Sequence, residues 1–440
     1  MLNTPFSPWP SFSEEEANAV RDVVLSNRVN YWTGQECREF EKEFATWADS
    51  RFAVALANGT VALDVALKAL GIGVGDEVVV TSRTFLASAS SIVNIGAVPV
   101  FADVDLDTQN VTVDSIRAVL TERTKAIICV HLAGWPCDMD PIMALAEEHG
   151  LKVVEDCAQA HGARYKGRSV GSIGHISAWS FCQDKIMTTG GEGGMVTTDD
   201  RELWSRMWSY KDHGKSWEAV YEREHAPGFR WLHESFGTNF RMMEVQAVIG
   251  RIQLRRMGDW HVRRLANAQR IWEKARNLPG LRVPIIPEGI EHAAYKCYVF
   301  VDPPRLAEGW TRDRILSEIV ARGVPCFSGS CSEIYLEKAF DSTGWRPEVR
   351  LPNAVTLGED SLMFLVHPTL SESEIQRTLD VLEAVMLEAC RDSQVAGRVS
   401  GNHRCSREWG TFSLAPPVLL RRMSSPEAFR FKNECLDGKA

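Results

Sequence analysis

None of the eleven cysteines stands in a CxxC pair, and their number is odd. That spacing fits neither a zinc site nor a disulfide framework. Reduced, mostly buried thiols in a cytoplasm are the simpler reading. Long apolar stretches are also missing, since no uninterrupted run approaches the ~20 residues that span a bilayer. The first residues, "MLNTPFSPWPSFSEEE", lack the basic and apolar regions of a secretory signal. Positive charge is in deficit too. Lys and Arg total 49 against 58 Asp and Glu, a net charge of -9. Global attraction to nucleic acid or an anionic membrane is thereby excluded, while a local anion site is not. The expectation is a soluble, cytoplasmic protein with no nucleic-acid or membrane partner.

What the sequence does have is length and alternation. With 440 residues, 45% of them hydrophobic, one core is too few, and two domains are expected. "SFSEEEANAVRDVVLS" predicts a helix, with Ser13 and Glu16 at capping-box spacing. Phe40, Phe44 and Trp47 follow at helical spacing. From about residue 52, short β-rich runs ("FAVALA", "DEVVVTS", "VPVFADV", "AIICVHL", "KVVEDCA") alternate with helical segments. Such alternation predicts an α/β fold with a mostly parallel sheet covered on both faces. A long helix over "RMMEVQAVIGRIQLRRM", with Met242, Val245, Ile249 and Ile252 on one side, precedes a second α+β segment with strands "KCYVFVD" and "DSLMFLVHP". The expected layout is an N-terminal helical segment (1–50), a large domain (51–260), a small C-terminal domain (261–390) and a tail (391–440). The tail holds nine Lys/Arg and five Asp/Glu without a sustained apolar period, which reads as poorly ordered.

Ligands of parallel sheets sit at the carboxyl ends of strands, so the loops there are the ones to inspect. In "ANGTVALDVAL", Asn58, Gly59 and Thr60 lie between a strand and a helix. The free N–H groups of the first turn and the helix dipole suit an anion. The plain alternative is a turn capped by the threonine. "VVEDCAQAHGA" sets Glu155 and Asp156 at a buried strand end, where a carboxylate needs a cation or donors, with Gln159 and His161 following. A satisfied strand-end acid is the alternative, and no second cluster with ligand spacing supports a metal. "SFCQDKIMTTGGEGGM" then places Lys185 five residues after Ser180, ahead of four glycines that would leave room for a planar partner. A buried lysine loses solvation, so its neutral, nucleophilic amine becomes accessible. An anion-binding helix start, an acid and an amine are the parts of a pyridoxal phosphate site: phosphate at the helix, carboxylate at the pyridine nitrogen, amine at the aldehyde. Phe85, just after a strand, is a candidate to stack on the ring, or else a core phenylalanine.

The segments "NGTVALDVALKALGIGVGDEVVVTSRTF", "VVEDCAQAHGA", "SFCQDKIMTTGGEGGMVTTDD" and "FGTNFRMMEVQAVIGRIQL" together resemble the DegT/DnrJ/StrS-type sugar aminotransferases, fold-type-I pyridoxal phosphate enzymes. The resemblance runs from about residue 10 to 388. It implies a large domain with a mostly parallel sheet flanked by helices, plus a smaller C-terminal α+β domain. It implies Lys185 as the Schiff-base lysine and Asp156 as the partner of the pyridine nitrogen. Gln159 matches the residue near the ring hydroxyl, and Gly59, Thr60 and Ser180 the phosphate cradle. Phe85 matches the stacking aromatic, and Asn239 a residue that reaches the phosphate of a neighbouring subunit, which implies a homodimer with shared active sites. One departure stands before the lysine, where the family commonly has a His or Pro and this chain has "CQD".

The activity so implied is conversion of a keto sugar, nucleotide-linked, into an amino sugar, with glutamate as amino donor, in polysaccharide or glycoconjugate precursor synthesis. Lys211, His213 and Lys215 are candidates to meet a nucleotide diphosphate. C-terminal loops such as "VPCFSGSCSEIY" are expected to face the substrate. The alternatives are an aminotransferase of a non-nucleotide keto sugar, a sugar dehydratase and a non-catalytic pyridoxal phosphate-binding regulator. Relatives of the dehydratase kind carry a His at the lysine position, which speaks against the dehydratase. Regulators of this fold carry a DNA-binding extension, and no helix-turn-helix pattern is visible.

Overall fold

The structure is a computed structural model and describes residues 5–390. The tail expected over 391–440 lies outside the described residues. Nine strands form in the first half of the chain: β1 (Phe52–Leu56), β2 (Glu77–Thr81), β3 (Val98–Ala102), β4 (Thr124–Val130), β5 (Lys152–Asp156), β6 (Arg164–Tyr165), β7 (Arg168–Ser169), β8 (Ile176–Ser180) and β9 (Gly194–Thr198). Five more follow: β10 (Leu281–Arg282), β11 (Ile290–Glu291), β12 (Cys297–Val301), β13 (Cys326–Phe327) and β14 (Ser361–Phe364).

Seven of these make the main sheet, in the order β1-β9-β8-β5-β4-β2-β3. Only β9 runs against its neighbours. The expected strands are therefore present and the sheet is mostly parallel, although β1 at its edge pairs only with the antiparallel β9. The strands at the middle of the sheet are apolar along most of their length and almost fully buried, as a sheet covered on both faces requires. The helix Gly59–Ala69 packs on one face and contributes six buried side chains, among them Leu63, Val65 and Leu67.

On the other face lies an aromatic cluster. The helix Glu36–Trp47 brings in Phe40 and Phe44, both fully buried. The Phe44 ring meets Trp179 edge-on at 5.2 Å and Phe181 at 5.4 Å, geometries that suit the ring quadrupole. This contact fixes the back of β8, the strand that leads to Lys185.

A 33-residue helix, Glu244–Arg276, follows. It packs on both N-terminal helices and on the last helix, Glu372–Ala389. The latter covers the second sheet, which is antiparallel in the order β10-β12-β14-β13. The apolar face expected of the long helix differs from the one observed. Met242 is buried but precedes the helix, Ile252 is buried, and Val245 and Ile249 are only half-buried. Ala247, Gly250 and Leu254 are buried as well. The residues buried along this helix face several neighbours, so no single stripe describes them.

Arg83, fully buried just beyond β2, ties the two sheets together. Its Nε donates to Gln109 Oε1 at 3.1 Å and its Nη2 to Ser361 Oγ at 2.9 Å. Replacing Phe44 by Ala should cost about 3–5 kcal/mol, since a buried ring is lost and the cavity cannot fully collapse. Equilibrium unfolding in urea measures that loss.

Candidate active site

The carboxyl ends of β1, β2, β5 and β8 open into one cavity of about 830 Å³. Gly59, Thr60, Phe85, Asp156, Gln159, Ser180 and Lys185 all line it. Seven of the eight residues that the resemblance matched to a cofactor site are thus brought together by four different strand ends.

At the end of β1, Asn58 takes the cap position of the helix Gly59–Ala69. Its side chain accepts from the Val61 N–H at 3.0 Å. Thr60 is not the cap, and it lines the cavity. The first turn of the helix after β1 comes very close to the end of β8 here. A Cβ on Gly59 would lie 2.5 Å from Ser180 Cβ, and one on Gly194 would lie 2.3 Å from the Asn58 carbonyl oxygen. Only glycine fits at either position, and the result is a shallow cradle of first-turn N–H groups, Thr60 and Ser180.

The two acids at the end of β5 separate by strand alternation, one to each face. Glu155 is fully buried and accepts N–H bonds from Gly171 at 2.8 Å, Ile173 at 2.8 Å and Gly174 at 2.6 Å. It also contacts His131 Nε2 at 3.0 Å. Burial pushes its pKa up, but His131 and the backbone donors outweigh burial and hold it below the ordinary value. Asp156 faces the cavity instead. It accepts from Ser88 Oγ at 2.8 Å and from the Ala158 N–H at 3.1 Å. The satisfied strand-end acid is therefore Glu155, and Asp156 is the one presented to a ligand. His131, Glu155 and Cys157 bring ligand-type atoms within 4.8 Å of one another. His131 Nδ1 already accepts from the Cys137 N–H at 3.0 Å, and the Glu155 oxygens are committed as described, so a cation would have to break those bonds.

Gln159 Oε1 accepts from the Ala133 N–H at 2.9 Å, which turns its amide NH₂ away from that backbone. Phe85 is 70% exposed, so it is no core phenylalanine. Lys185 is half-buried rather than buried, because its side chain borders the open cavity. Its amine lies 5.4 Å from the centre of the Tyr295 ring. The glycines after it do not act as expected. Gly190, Gly191, Gly193 and Gly194 stay out of the cavity wall, where only Glu192 of that run appears. Gly194 instead allows the close passage beside Asn58.

Asn239 is exposed and lies outside its own chain's cavity. Lys211 is withdrawn from the candidates at the mouth. It is fully buried, with its amine 3.5 Å from the Tyr31 ring centre, and burial lowers its pKa to about 8. Lys215 is held 4.0 Å over Trp32 and pairs with Asp212 at 3.3 Å.

Sequence reasoning missed Ser88, Asp184, Tyr295, Lys296 and Tyr298. Asp184 is the third residue of the departing "CQD", and its carboxylate accepts from the Tyr295 hydroxyl at 2.6 Å. Burial raises its pKa, but Lys185, Tyr295 and Lys296 together hold it below the ordinary value. Lys296 and Tyr298 lie in "KCYVFVD", which reads only as a strand, and the spacing of Ser88 and Tyr295 carries no site signal. From the C-terminal loop "VPCFSGSCSEIY", Gly329 and Ser330 do line the cavity.

A family model described as the DegT/DnrJ/EryC1/StrS aminotransferase family matches residues 10–383. The chain belongs to that family. An aminotransferase from Psychrobacter cryohalolentis, solved by X-ray diffraction, is 66% identical, with a TM-score of 0.86 over 88% of this chain and 100% of that one. The GDP-perosamine synthase of Caulobacter vibrioides is 38% identical over 83% of this chain and 95% of its own length. The solved DesV of S. venezuelae, in complex with a ketimine intermediate, is 33% identical with a TM-score of 0.76, over 84% of this chain and 94% of that one. The DegT/DnrJ/EryC1/StrS fold is that of fold-type-I enzymes, and the chain is a pyridoxal phosphate-dependent aminotransferase. The cavity fits that cofactor, because the glycine-bounded cradle, the presented acid and the amine occupy three sides of one space.

A Gly59→Ala substitution pushes a methyl group into Ser180. It should weaken pyridoxal phosphate binding about tenfold or more, as overpacking of ~1–3 kcal/mol implies. Titration of the apoprotein followed by absorbance reads the change. Glu155→Gln should cost about 3–5 kcal/mol at pH 7, because a buried, bonded charge is lost. The folded pKa of Glu155 is depressed, so its contribution is present above the unfolded value of ~4.3 and is lost as pH falls through the folded value. The stability gap between wild type and variant should therefore narrow in acid, as urea midpoints at pH 7 and below pH ~4 will show.

Proposed function

We propose that this enzyme transfers an amino group from glutamate to the carbonyl carbon of a nucleotide-linked keto sugar, and that it works as a homodimer. The observation that carries the reading is the meeting of a helix amino terminus, a presented acid and an amine in one cavity. The names of relatives support the substrate class: GDP-perosamine synthase, and the dTDP-3-amino-3,4,6-trideoxy-alpha-D-glucose transaminase of Streptomyces venezuelae.

Each residue then has a task. Thr60, Ser180 and the first-turn N–H groups beside Gly59 hold the phosphate, assisted by the helix dipole. Asp156, braced by Ser88 and the Ala158 N–H, keeps a proton on the pyridine nitrogen. Gln159, whose oxygen is already committed to the Ala133 N–H, would offer its amide NH₂ to the bound cofactor, and Phe85 would pack against its ring. Pyridoxal phosphate supplies an electron sink for charge that develops at the donor's α-carbon. Lys185 would hold the cofactor's aldehyde and, with its amine free, would move the proton at the donor's α-carbon. Such positioned proton transfer is typically worth ~10²–10⁴-fold. The same groups run in reverse on the keto sugar, so one cavity serves both substrates in turn.

The dimer is supported by surface chemistry. Asn239 is exposed, and close to it in sequence Phe229, Trp231 and Phe236 are 78%, 81% and 101% exposed. Large aromatics grouped in solvent mark an interaction surface.

Lys185→Ala should lower 2-oxoglutarate release from glutamate by at least ~10²-fold, while the protein stays folded. Mixing Lys185→Ala chains with Asn239→Ala chains tests the shared site. In mixed dimers one site has both the lysine and the partner's asparagine, so about a quarter of wild-type sites should return. A mixture no more active than its better parent means that Asn239 serves no neighbouring site.

A further inference from the structure

A second amine lines the cavity besides Lys185. Lys296 is 8% exposed and stands just before β12, on the wall supplied by the second sheet. Backbone bonds set its place. The Tyr295 N–H donates to the Ala133 carbonyl at 3.0 Å, the Ala293 N–H to Gly134 at 2.9 Å, and the Ala133 N–H to Gln159 Oε1 at 2.9 Å. The stretch that presents Lys296 is thus stitched to the same loop that orients Gln159.

Both amines sit by one ring. Lys185 Nζ is 5.4 Å and Lys296 Nζ 4.7 Å from the centre of Tyr295, so at most about 10 Å separates them. Tyr295 itself donates to Asp184, whose charge offsets the two cations. Burial lowers the Lys296 pKa to about 8; Asp184 raises it, while Arg264 and Lys185 push it further down. An incoming anion would favour the charged form.

The two substrates differ in where they carry charge. An amino acid has a carboxylate bonded directly to the reacting carbon. A nucleotide-linked sugar carries its charge on the diphosphate, several bonds from the carbonyl, and that charge would fall toward the mouth. A buried cation that shares the Tyr295 ring with Lys185 suits the former. We propose that Lys296 is the receptor for the α-carboxylate of the amino donor, a subsite used in the donor half-reaction and idle in the sugar half-reaction. This rests on the transaminase reading with an amino-acid donor.

Lys296→Met and Lys296→Arg holoenzymes test it, with glutarate as an unreactive carboxylate probe and calorimetry as readout. A charged hydrogen bond is worth ~1.5–3 kcal/mol, so Lys296→Met should bind glutarate about 10- to 100-fold more weakly. Its half-saturation for glutamate in the donor half-reaction, followed by rapid mixing, should rise by a similar factor, with a smaller change in the limiting rate. Arginine should restore most of the binding. The sugar half-reaction, started from the aminated holoenzyme, should keep its half-saturation. Unchanged glutarate binding in Lys296→Met overturns the proposal, as does equal damage to both half-reactions. A wild-type enzyme that binds glutarate through Lys296 yet releases no 2-oxoglutarate from glutamate would instead overturn the choice of donor and leave the carboxylate subsite standing.

Discussion

The contact that the site depends on is the crowding of Gly59, Ser180 and Gly194. Here β9 runs against β1 and β8, so its first residue meets the last residues of both, with Gly194 paired to Leu56 and to Ser180. A Cβ at either glycine would strike its neighbour, so these segments pass with no room for a side chain. That closeness aims the first turn of the helix Gly59–Ala69 at the same point as the Ser180 hydroxyl. It also fixes where β8 ends, and hence where Lys185 emerges five residues later. An anion held at this junction is positioned by three segments at once, none of which can shift alone.

The neighbours Glu155 and Asp156 show how one strand end serves structure and chemistry together. Alternation turns one acid to each face. Glu155 organises the turn from Gly171 to Gly174 through three backbone bonds and anchors His131. Asp156 receives fewer donors, and these hold its orientation while it still faces the cavity. The buried acid thus stabilises the strand end on which the presented acid rides.

Much of this is legible in the amino-acid sequence. The alternation of β-rich runs and helices announces the parallel sheet, because strands buried on both faces must be largely apolar. The strand-end rule then picks out the loops of Gly59, Phe85, Asp156 and Lys185. What is not legible depends on three-dimensional neighbours. The glycines after Lys185 read as room for a flat ring, yet Gly194 serves close passage of backbones. Lys211 reads as a loop cation and is packed against Tyr31 and Trp208. Asp184 and Tyr295 lie 111 residues apart, and Lys296 opens a run that reads only as a strand, so only folding brings them together. A pattern reports which face a residue takes; it does not report which distant segment meets it there.

Asn239 adds a last step. It lies outside its own cavity, yet its backbone is tied to the strand that leads there. The Ala57 N–H donates to the Phe240 carbonyl at 2.9 Å, and Leu56 bridges Arg241. Asp212 holds the same segment from the other side, bridging Asn239 and pairing with Arg241 at 2.8 Å. One short stretch of backbone therefore touches the segment that leads into the cradle of its own chain while leaving the Asn239 side chain exposed. If that side chain reaches a partner's cofactor, as proposed, the cradle in one subunit and the contact made to the other share a rigid element.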